Sequence, residues 1–484
     1  MLFSKIRGGV HPDGFKELSS ALPIARVPIP KRLFVPLRQH AGNEAIPIVQ
    51  VNEPVLKGQL IAQAGDGLSA PVHAPTSGKI QAIEPITVAH PSGIKAMGIV
   101  IETDRKDTPA TDPIDSNPFE LTPDTLAKKI ADSGIVGMGG AAFPAAVKLS
   151  KAADSPIEVL IINGGECEPY LTADDRLMCE RSKKIVLGAR LIRYIVGAKR
   201  IAIAIEDNKR QAINAMHVAA KDQDYIDINV VPSRYPMGSA KQLIQAITGK
   251  EVPAGGRSSD IGVLMHNVAT AYAIAECLTE NKPLISRIVT VSGGAIVRPQ
   301  NIEALIGTPI RFLIEHCGGF KKDPARLLLG GPMMGQIMPS QDVPLIKGAA
   351  GVLALLTEEI SKTTASPCIR CGRCVSACPM GLVPLEMSLH AKAQDFEAAN
   401  DYGLKDCILC GSCAYVCPSH IPLVQYFQYA KGELSQVKAQ EQRKAYTRQL
   451  SEAKRLRKEK EAAEKAAAKA KRKRRSAKKA TAES

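Results

Sequence analysis

Tryptophan is absent from this 484-residue chain, and aromatic residues make up only 4% of it. The cores must therefore be built from Ile, Val, Leu and Ala, within a hydrophobic content of 45% that is ordinary for globular proteins. Long apolar runs are lacking as well. No window approaches the roughly 18 unbroken apolar residues that a membrane span needs. The longest stretches are strand-sized, such as 158–163 and 200–206. That argues against an integral membrane protein and for a soluble or peripheral one. Nothing at the N-terminus resembles a signal peptide, so no oxidising compartment is expected. The net charge of +15 suggests nucleic acid until it is located: residues 438–484 hold 18 Lys/Arg and 6 Glu, so +12 of it lies in a tail. A chain this long should divide into about three to five domains.

Cysteine, in contrast, is plentiful and patterned. Eight of the 12 cysteines fall in two copies of one spacing, Cys368, Cys371, Cys374, Cys378 and Cys407, Cys410, Cys413, Cys417, each copy ending in Cys-Pro. This is the bacterial ferredoxin pattern for two [4Fe–4S] clusters. Three thiolates on a tight turn reach three irons of one cube, and the fourth cysteine is handed to the other cluster. The pattern thus pairs Cys368, Cys371 and Cys374 with Cys417, and Cys407, Cys410 and Cys413 with Cys378. Zinc would favour two spaced pairs, often with His, and His390 and His420 fall outside the spacing. The 28 residues between Cys378 and Cys407 include a helical stretch, 382–400, so the module is helix-linked.

Residues 1–30, with Gly8-Gly9-Val10-His11-Pro12 and then Pro23, Pro28 and Pro30, read as an extended arm laid on another domain. Residues 31–105 are short β-runs closed by Gly or Pro, a small all-β unit. It is similar to the barrel-sandwich of biotinyl and lipoyl carriers, but residues 65–69 offer no carrier lysine, so it reads as scaffold. Residues 103–118 form a linker. Thr122 and Pro123 then mark a helix start that runs to about Ser133.

A glycine loop, Gly134 to Pro144, opens the next helix at 145–152 and is a candidate anion site, because helix-terminal N–H groups face the ligand. It fits neither the dinucleotide fingerprint nor a Walker loop. The following strand ends in Asn163-Gly164-Gly165-Glu166-Cys167-Glu168-Pro169, which delivers an amide and two carboxylates to a strand's carboxyl end, where ligands gather in α/β sheets. Alternating helix and strand through 231 predicts an α/β domain with a parallel sheet, followed by helices at 238–248 and 262–278. Residues 287–332 read as strand, turn, strand, helix, strand, with 295–298 among the strands, and 335–356 as a connection.

The glycine loop with Phe143-Pro144, together with Asn163-x-x-Glu166-x-Glu168-Pro169, resembles the flavin-binding NADH dehydrogenase subunit of respiratory complex I. The order of the whole chain resembles the RnfC (RsxC) proteins of the Rnf (Rsx) electron transport complexes. The resemblance implies a multidomain α/β and α+β fold. Its parts are an N-terminal arm (1–30), a barrel-sandwich domain (31–105), an FMN/NADH-binding α/β domain (118–282), a β-grasp domain of the soluble-ligand-binding type (283–335), a two-cluster ferredoxin-like domain (360–432) and a basic, helical or disordered tail (436–484). It further implies that Gly137, Gly139, Gly140 and Lys148 hold FMN phosphate. Asn163, Glu166 and Asn267 would line the flavin, and Phe143 and Glu168 would meet the nicotinamide nucleotide. The chain departs from complex I at Met138 (Arg there), Ala142 (Gly), Gly165 (Asp) and Ala240 (Glu).

The implied function is that of a peripheral oxidoreductase and translocase subunit, at the cytoplasmic side of a bacterial inner membrane. It would couple electron transfer between NADH and ferredoxin to ion movement, through FMN and two [4Fe–4S] clusters. Integral membrane subunits and ferredoxin, or an iron–sulfur partner subunit, are the implied partners, with no nucleic acid. The basic tail adds contact with an anionic membrane surface. Two other functions fit the same residues: a non-enzymatic iron–sulfur relay or docking subunit, favoured by the missing carboxylates at 165 and 240, and a soluble diaphorase subunit.

Overall fold

The computed structural model describes residues 7–111, 117–152, 155–360 and 363–480. The first residues of the expected arm, the middle of the expected linker and the last residues of the tail lie outside them. Two compact units emerge, one of residues 1–384 with 406–422, the other of 385–405 with 423–484.

The first unit begins with the arm, which carries a short helix α1 (Glu17–Ser20) and strand β1 (Ala25–Arg26). Seven strands follow: β2 (Arg32–Pro36), β3 (Ile46–Pro47), β4 (Pro54–Val55), β5 (Leu60–Gln63), β6 (Val72–His73), β7 (Gly78–Thr87) and β8 (Lys95–Thr103). They form two sheets, in the orders β2-β8-β7-β4 and β3-β5-β6, around Leu33, Val35, Ile61, Ile80, Ile99 and Ile101. This is the barrel-sandwich.

Helix α2 (Pro123–Asp132) starts as the sequence predicts, with the Thr122 hydroxyl accepting from Thr125 N–H and Pro123 in the first turn. The α/β domain continues with α3 (Ala145–Ala152), β9 (Val159–Gly164), α4 (Ala173–Val196), β10 (Arg200–Glu206), α5 (Arg210–Ala220), β11 (Ile226–Val231), α6 (Ala240–Thr248), β12 (Val263–Asn267) and α7 (Val268–Glu280). The sheet is wholly parallel, in the order β11-β10-β9-β12. Its central strands β9 and β10 are nearly continuous apolar runs because both faces are covered. Leu160, Ile162, Ile201 and Ile203 pack in the core with α4 and α7, whereas Val159, Ile161, Ala202 and Ala204 pack with Leu243 and Ile244 of α6. One sequence expectation fails here: of the helix predicted over 262–278, residues 263–267 form a strand, β12, and the helix α7 begins only at Val268. A short apolar run between Gly262 and Asn267 has no periodicity to separate the two.

The β-grasp domain comprises β13 (Ser286–Ser292), β14 (Gln300–Leu305), α8 (Ile310–His316), β15 (Arg326–Leu329), β16 (Gln336–Ile337) and β17 (Gly351–Leu355). Its mixed sheet runs β1-β14-β13-β17-β15-β16, so the arm supplies an edge strand. Two readings are corrected. Residues 295–298 form a turn with a single bridge, Ile296 to Phe320, because Gly293 (φ +106°) bends the chain away after β13. The supposed connection at 335–356 contains β17, a fully buried central strand.

The cluster loops belong to this same unit, with α9 (Arg373–Ala377) and, after residue 406, α12 (Ser412–Tyr415). The second unit holds most of α10 (Pro384–Lys392), then α11 (Phe396–Asp401) and α13 (Leu423–Ala480). Thus the span read as one cluster domain is divided. Phe396 meets Tyr429 edge-on at 5.6 Å, and Phe427 and Ala430 are buried. Beyond about residue 436 α13 is exposed all round as far as 471, laced by i,i+4 pairs such as Arg455–Glu459. The basic run is helical through Ala480. Among the described residues no helix is long and apolar enough to cross a membrane.

Candidate functional site

In the order β11-β10-β9-β12 the strand first in sequence lies between the second and the fourth, so the strand order reverses beside β9. Ligands bind in the crevice outside the carboxyl ends at such a switch point. Here both strands carry an asparagine at the carboxyl end, Asn163 one residue before the end of β9 and Asn267 as the last of β12, paired in register. Asn267 Oδ1 caps α7 by accepting from Ala269 N–H (2.8 Å), while its Nδ2 donates to Asp174 Oδ2 (2.6 Å) and to the Asn163 carbonyl (3.4 Å). Asn163 bonds Gly165 N–H (2.8 Å) and the Gly238 carbonyl (2.9 Å).

The glycine loop folds over the same place. Gly137 N–H donates to the Phe143 carbonyl (2.7 Å), and Met138 N–H to Thr270 Oγ1 (3.0 Å) on α7. Gly139 and Gly140 are left exposed. A Cβ on Gly139 would lie 3.5 Å from Asn267 Cβ; one on Gly140 would meet nothing within 4 Å. Lys148 reaches the Met265 carbonyl (3.3 Å), and burial lowers its pKa. The half-buried Phe143 ring lies in the loop's closing turn.

The two glutamates sit differently. The Glu166 carboxylate accepts from Asp174 N–H (3.0 Å) and Asp175 N–H (3.4 Å) in the first turn of α4, with Lys209 Nζ at 3.8 Å. It holds the helix start behind the crevice. Glu168 accepts from Met333 N–H (3.0 Å), and burial raises its pKa to about 7. Lys16 of the arm donates to the carbonyls of Glu166, Glu168 and Leu171 at 2.6, 2.8 and 2.7 Å, clamping this loop from outside.

Sequence reasoning missed four groups here. Asp174, on which Asn267 rests, is pushed to about 7 by burial and then by the Glu166 charge. Glu206, at the end of β10, is also raised to about 7 by burial. His266 is buried with no partner on either ring nitrogen, and burial, then the Lys148 charge, lowers its pKa to about 3. Tyr235 donates to the Cys410 carbonyl (2.6 Å). His-Asn at the end of a recognised β12 was the one legible signal among them.

The two cysteine loops are conformational copies. Arg370 and Leu409 both have φ +56°, Gly372 and Gly411 have φ +74° and +81°, and α9 packs on α12. Such left-handed residues turn successive N–H groups into a concave nest suited to an anion. The Cys378 thiol is felt by the second loop: burial first, then the charges of Cys410, Cys407 and Cys378, raise the Cys413 pKa. Likewise Cys374 is raised by burial, then by Cys417 and Cys368. No disulfide forms among the described residues, and no three His, Cys, Asp or Glu converge there on a single-ion site. Cys378, Cys410 and Cys413 are buried, whereas Cys368 and Cys371 are exposed.

Comparison with known proteins agrees with this arrangement. Residues 130–276 match the family described as the Nuo51 FMN-binding domain, and residues 4–106 the RnfC barrel sandwich hybrid domain. Residues 288–336 match the SLBB domain, and 367–421 the 4Fe-4S dicluster domain. The RnfC protein of the ion-translocating oxidoreductase complex of Rhodobacter capsulatus is 50% identical over 432 residues, 89% of this chain and 83% of that protein. This chain belongs to the RnfC family of ion-translocating oxidoreductase complexes. Proteins of the same name from Klebsiella pneumoniae and Actinobacillus succinogenes are 44% identical over 460 and 456 residues. Those matches cover 95% and 94% of this chain but 61% and 65% of the longer relatives.

The barrel-sandwich, flavin-type, β-grasp and cluster domains expected of the RnfC family are therefore all present. The donor sets fit the two groups the family implies. Exposed glycine backbone beside Asn267, with the half-buried Lys148 ammonium on the Met265 carbonyl, suits a flavin and its phosphate. Two nests with four thiols apiece suit cubane clusters. The departures have structural counterparts. Ala142 stays in the left-handed region (φ +45°) that glycine favours. At Gly165 a Cβ would meet Asn163 Oδ1 at 3.1 Å and Gly238 Cα at 3.3 Å, so the side chain missing here is one with little room.

Proposed function

We propose that this chain is the peripheral subunit of a membrane-bound Rnf-type complex, at the cytoplasmic side of the inner membrane. In this reading it takes part in electron transfer between NADH and ferredoxin that integral subunits couple to ion movement. The observation that carries the reading is contiguity: Asn163 bonds the Gly238 carbonyl, Gly238 N–H reaches Cys167 Sγ, and Cys167 packs against the buried group of Val10, Tyr235, Ala377 and Cys410. When bound, FMN would exchange electron pairs as hydride while the clusters take single electrons.

The chain's own residues hold and shape these sites. Gly139 and Gly140 present open backbone in a loop that Gly137 closes, and Lys148 supplies the cation for the phosphate. Asn163 and Asn267 line the flavin, with Glu166 fixing the start of α4 behind them. Phe143 and Glu168 face the nicotinamide nucleotide, and Glu168, raised to about 7, is the group poised to hold a proton near neutrality. Cys368, Cys371, Cys374 and Cys417 would hold one [4Fe–4S] cluster, and Cys407, Cys410, Cys413 and Cys378 the other. Apart from the cluster span, which is divided between the two compact units, and the β-grasp sheet, which extends through β17, the domain limits read from the sequence are part of this proposal. So is contact of the basic end of α13 with an anionic membrane surface, where each Lys or Arg near the leaflet gains about 1 kcal/mol.

The test is an anaerobic absorption titration of the reconstituted chain with NADH, with flavin and iron assayed on the same sample. One flavin and about eight irons per chain, bleached by NADH, are expected. Full iron without flavin under excess FMN, and no response to NADH, would leave an electron relay instead.

A further inference from the structure

Residues Gly8-Gly9-Val10 take no part in the sites above, yet they lie between them. Val10 and Tyr235 exchange both backbone hydrogen bonds (2.8 and 3.0 Å), and Gly9 N–H donates to the Ala377 carbonyl (2.8 Å), one residue before Cys378. The fit leaves no room. A Cβ on Gly8 would lie 2.3 Å from the Cys378 oxygen, and one on Gly9 2.6 Å from the Tyr235 oxygen. Both glycines have positive φ, +61° and +81°. Val10, Tyr235, Ala377 and Cys410 form a buried apolar group that also touches Cys167 and Met333.

We infer that Gly8–Val10 and Tyr235 form a water-excluding seal that positions the thiols of Cys378 and Cys410 toward the flavin crevice and sets the redox potential of the group they hold. That group is the one proximal to the crevice, and the group at the exposed Cys368 and Cys371 is the distal one. The inference rests on the cluster ligation proposed above. Potential depends on solvent exposure and local hydrogen bonds. Water entering at the seal would favour the more negative, reduced state, whereas removing the Tyr235 hydroxyl takes a partly positive hydrogen away and favours the oxidised one.

The experiment is a redox titration of the reconstituted full chain followed by electron paramagnetic resonance, which needs neither flavin nor NADH. Gly8→Ala is expected to shift the reduced-to-oxidised ratio of one cluster about tenfold toward reduced, about 59 mV for one electron, and to speed its bleaching by oxygen. Tyr235→Phe, which keeps the backbone intact, moves the same cluster in the opposite direction. Gly14→Ala, in the same arm but away from the seal, moves neither. In a Cys374→Ser background, which leaves the group around Cys378, the Tyr235→Phe shift persists; in a Cys413→Ser background it is lost. Unchanged potentials with full iron, or equal shifts of both clusters, would overturn the inference. A preparation that binds no flavin would sink the dehydrogenase reading yet leave these titrations interpretable.

Discussion

Replacing Gly139 by alanine separates the flavin site from the stability of the domain that carries it. Gly139 is exposed, and the added methyl would make ordinary contacts with Asn267: 3.5 Å to Cβ, 3.9 Å to Nδ2 and 4.0 Å to Cγ. The apoprotein should therefore accept it. Removing a glycine from the unfolded chain is worth about 0.4–1 kcal/mol where the backbone tolerates it, so the melting temperature should hold or rise slightly. The same methyl stands where a flavin lying on Asn267 must approach the backbone. Overfilling a packed contact costs about 1–3 kcal/mol, which at about 1.4 kcal/mol per factor of ten weakens FMN binding some 5- to 150-fold. Calorimetric titration of FMN into apoprotein, beside scanning calorimetry of both forms, reads the two effects apart. Equal FMN affinity in a normally stable Gly139→Ala protein would show that the flavin does not lie over this glycine. A large loss of stability would show that the loop does not sit open above Asn267.

Other perturbations test the surroundings. Lys16→Ala removes three charge-assisted hydrogen bonds to one loop, each worth about 1.5–3 kcal/mol; amide hydrogen exchange over residues 163–172 should rise severalfold, and unchanged protection would deny the arm its clamping role. Cys378→Ser should abolish the same cluster signal as Cys413→Ser and leave the one that Cys374→Ser removes, with iron falling from about eight to about four; loss of the Cys374 signal instead would refute the exchanged pairing. His73, in the barrel, has its pKa lowered to about 3 by burial and then by the Lys347 charge. Its folded pKa lies below its unfolded one, so its contribution is full above pH about 6.5 and is lost as pH falls toward 3. At pH 5 the loss is about 2 kcal/mol. His73→Gln should therefore lose less stability than the parent between pH 7.5 and 5 in urea titrations, and identical losses would refute the burial argument.

What the sequence could and could not convey follows from how each signal is made. The cluster cysteines are legible because ligation to a cube fixes residue type and spacing within a few positions. Helix α2 is legible because Thr122 and Pro123 are local devices. Strand β12 is not: 263–267 is a five-residue segment with three apolar residues, and its strand character comes from pairing with β9, about a hundred positions earlier in the chain. Strand β17 fails in the same way, because its partners β13 and β15 are distant in sequence. The cost is specific. Reading 262–278 as one helix hides that Asn163 and Asn267 lie side by side at the carboxyl ends of adjacent parallel strands, the fact that turns two asparagines into one crevice. Asp174 was invisible for a related reason, since its burial under Asn267 arises only once β9, β12 and α4 meet.

The departure at Gly165 gains meaning from the same geometry. A side chain at Gly238 would lie 2.0 Å from the Gly165 carbonyl, so the loop after β11 approaches the loop after β9 backbone to backbone. Gly238 N–H also reaches Cys167 Sγ at 3.4 Å. That close approach brings in Tyr235, three residues earlier, whose hydroxyl bonds the Cys410 carbonyl. Gln242, on the helix that follows, bonds the Pro379 carbonyl, and Lys241 pairs with Asp406 at 3.1 Å. A Cβ at 165 would press on Gly238 Cα at 3.3 Å, two residues before α6, whose first turn carries Lys241 and Gln242. The small residue at 165 keeps the loop after β9 packed on Gly238, beside the segment whose Tyr235 and Gln242 bond the backbone of the cysteine loops.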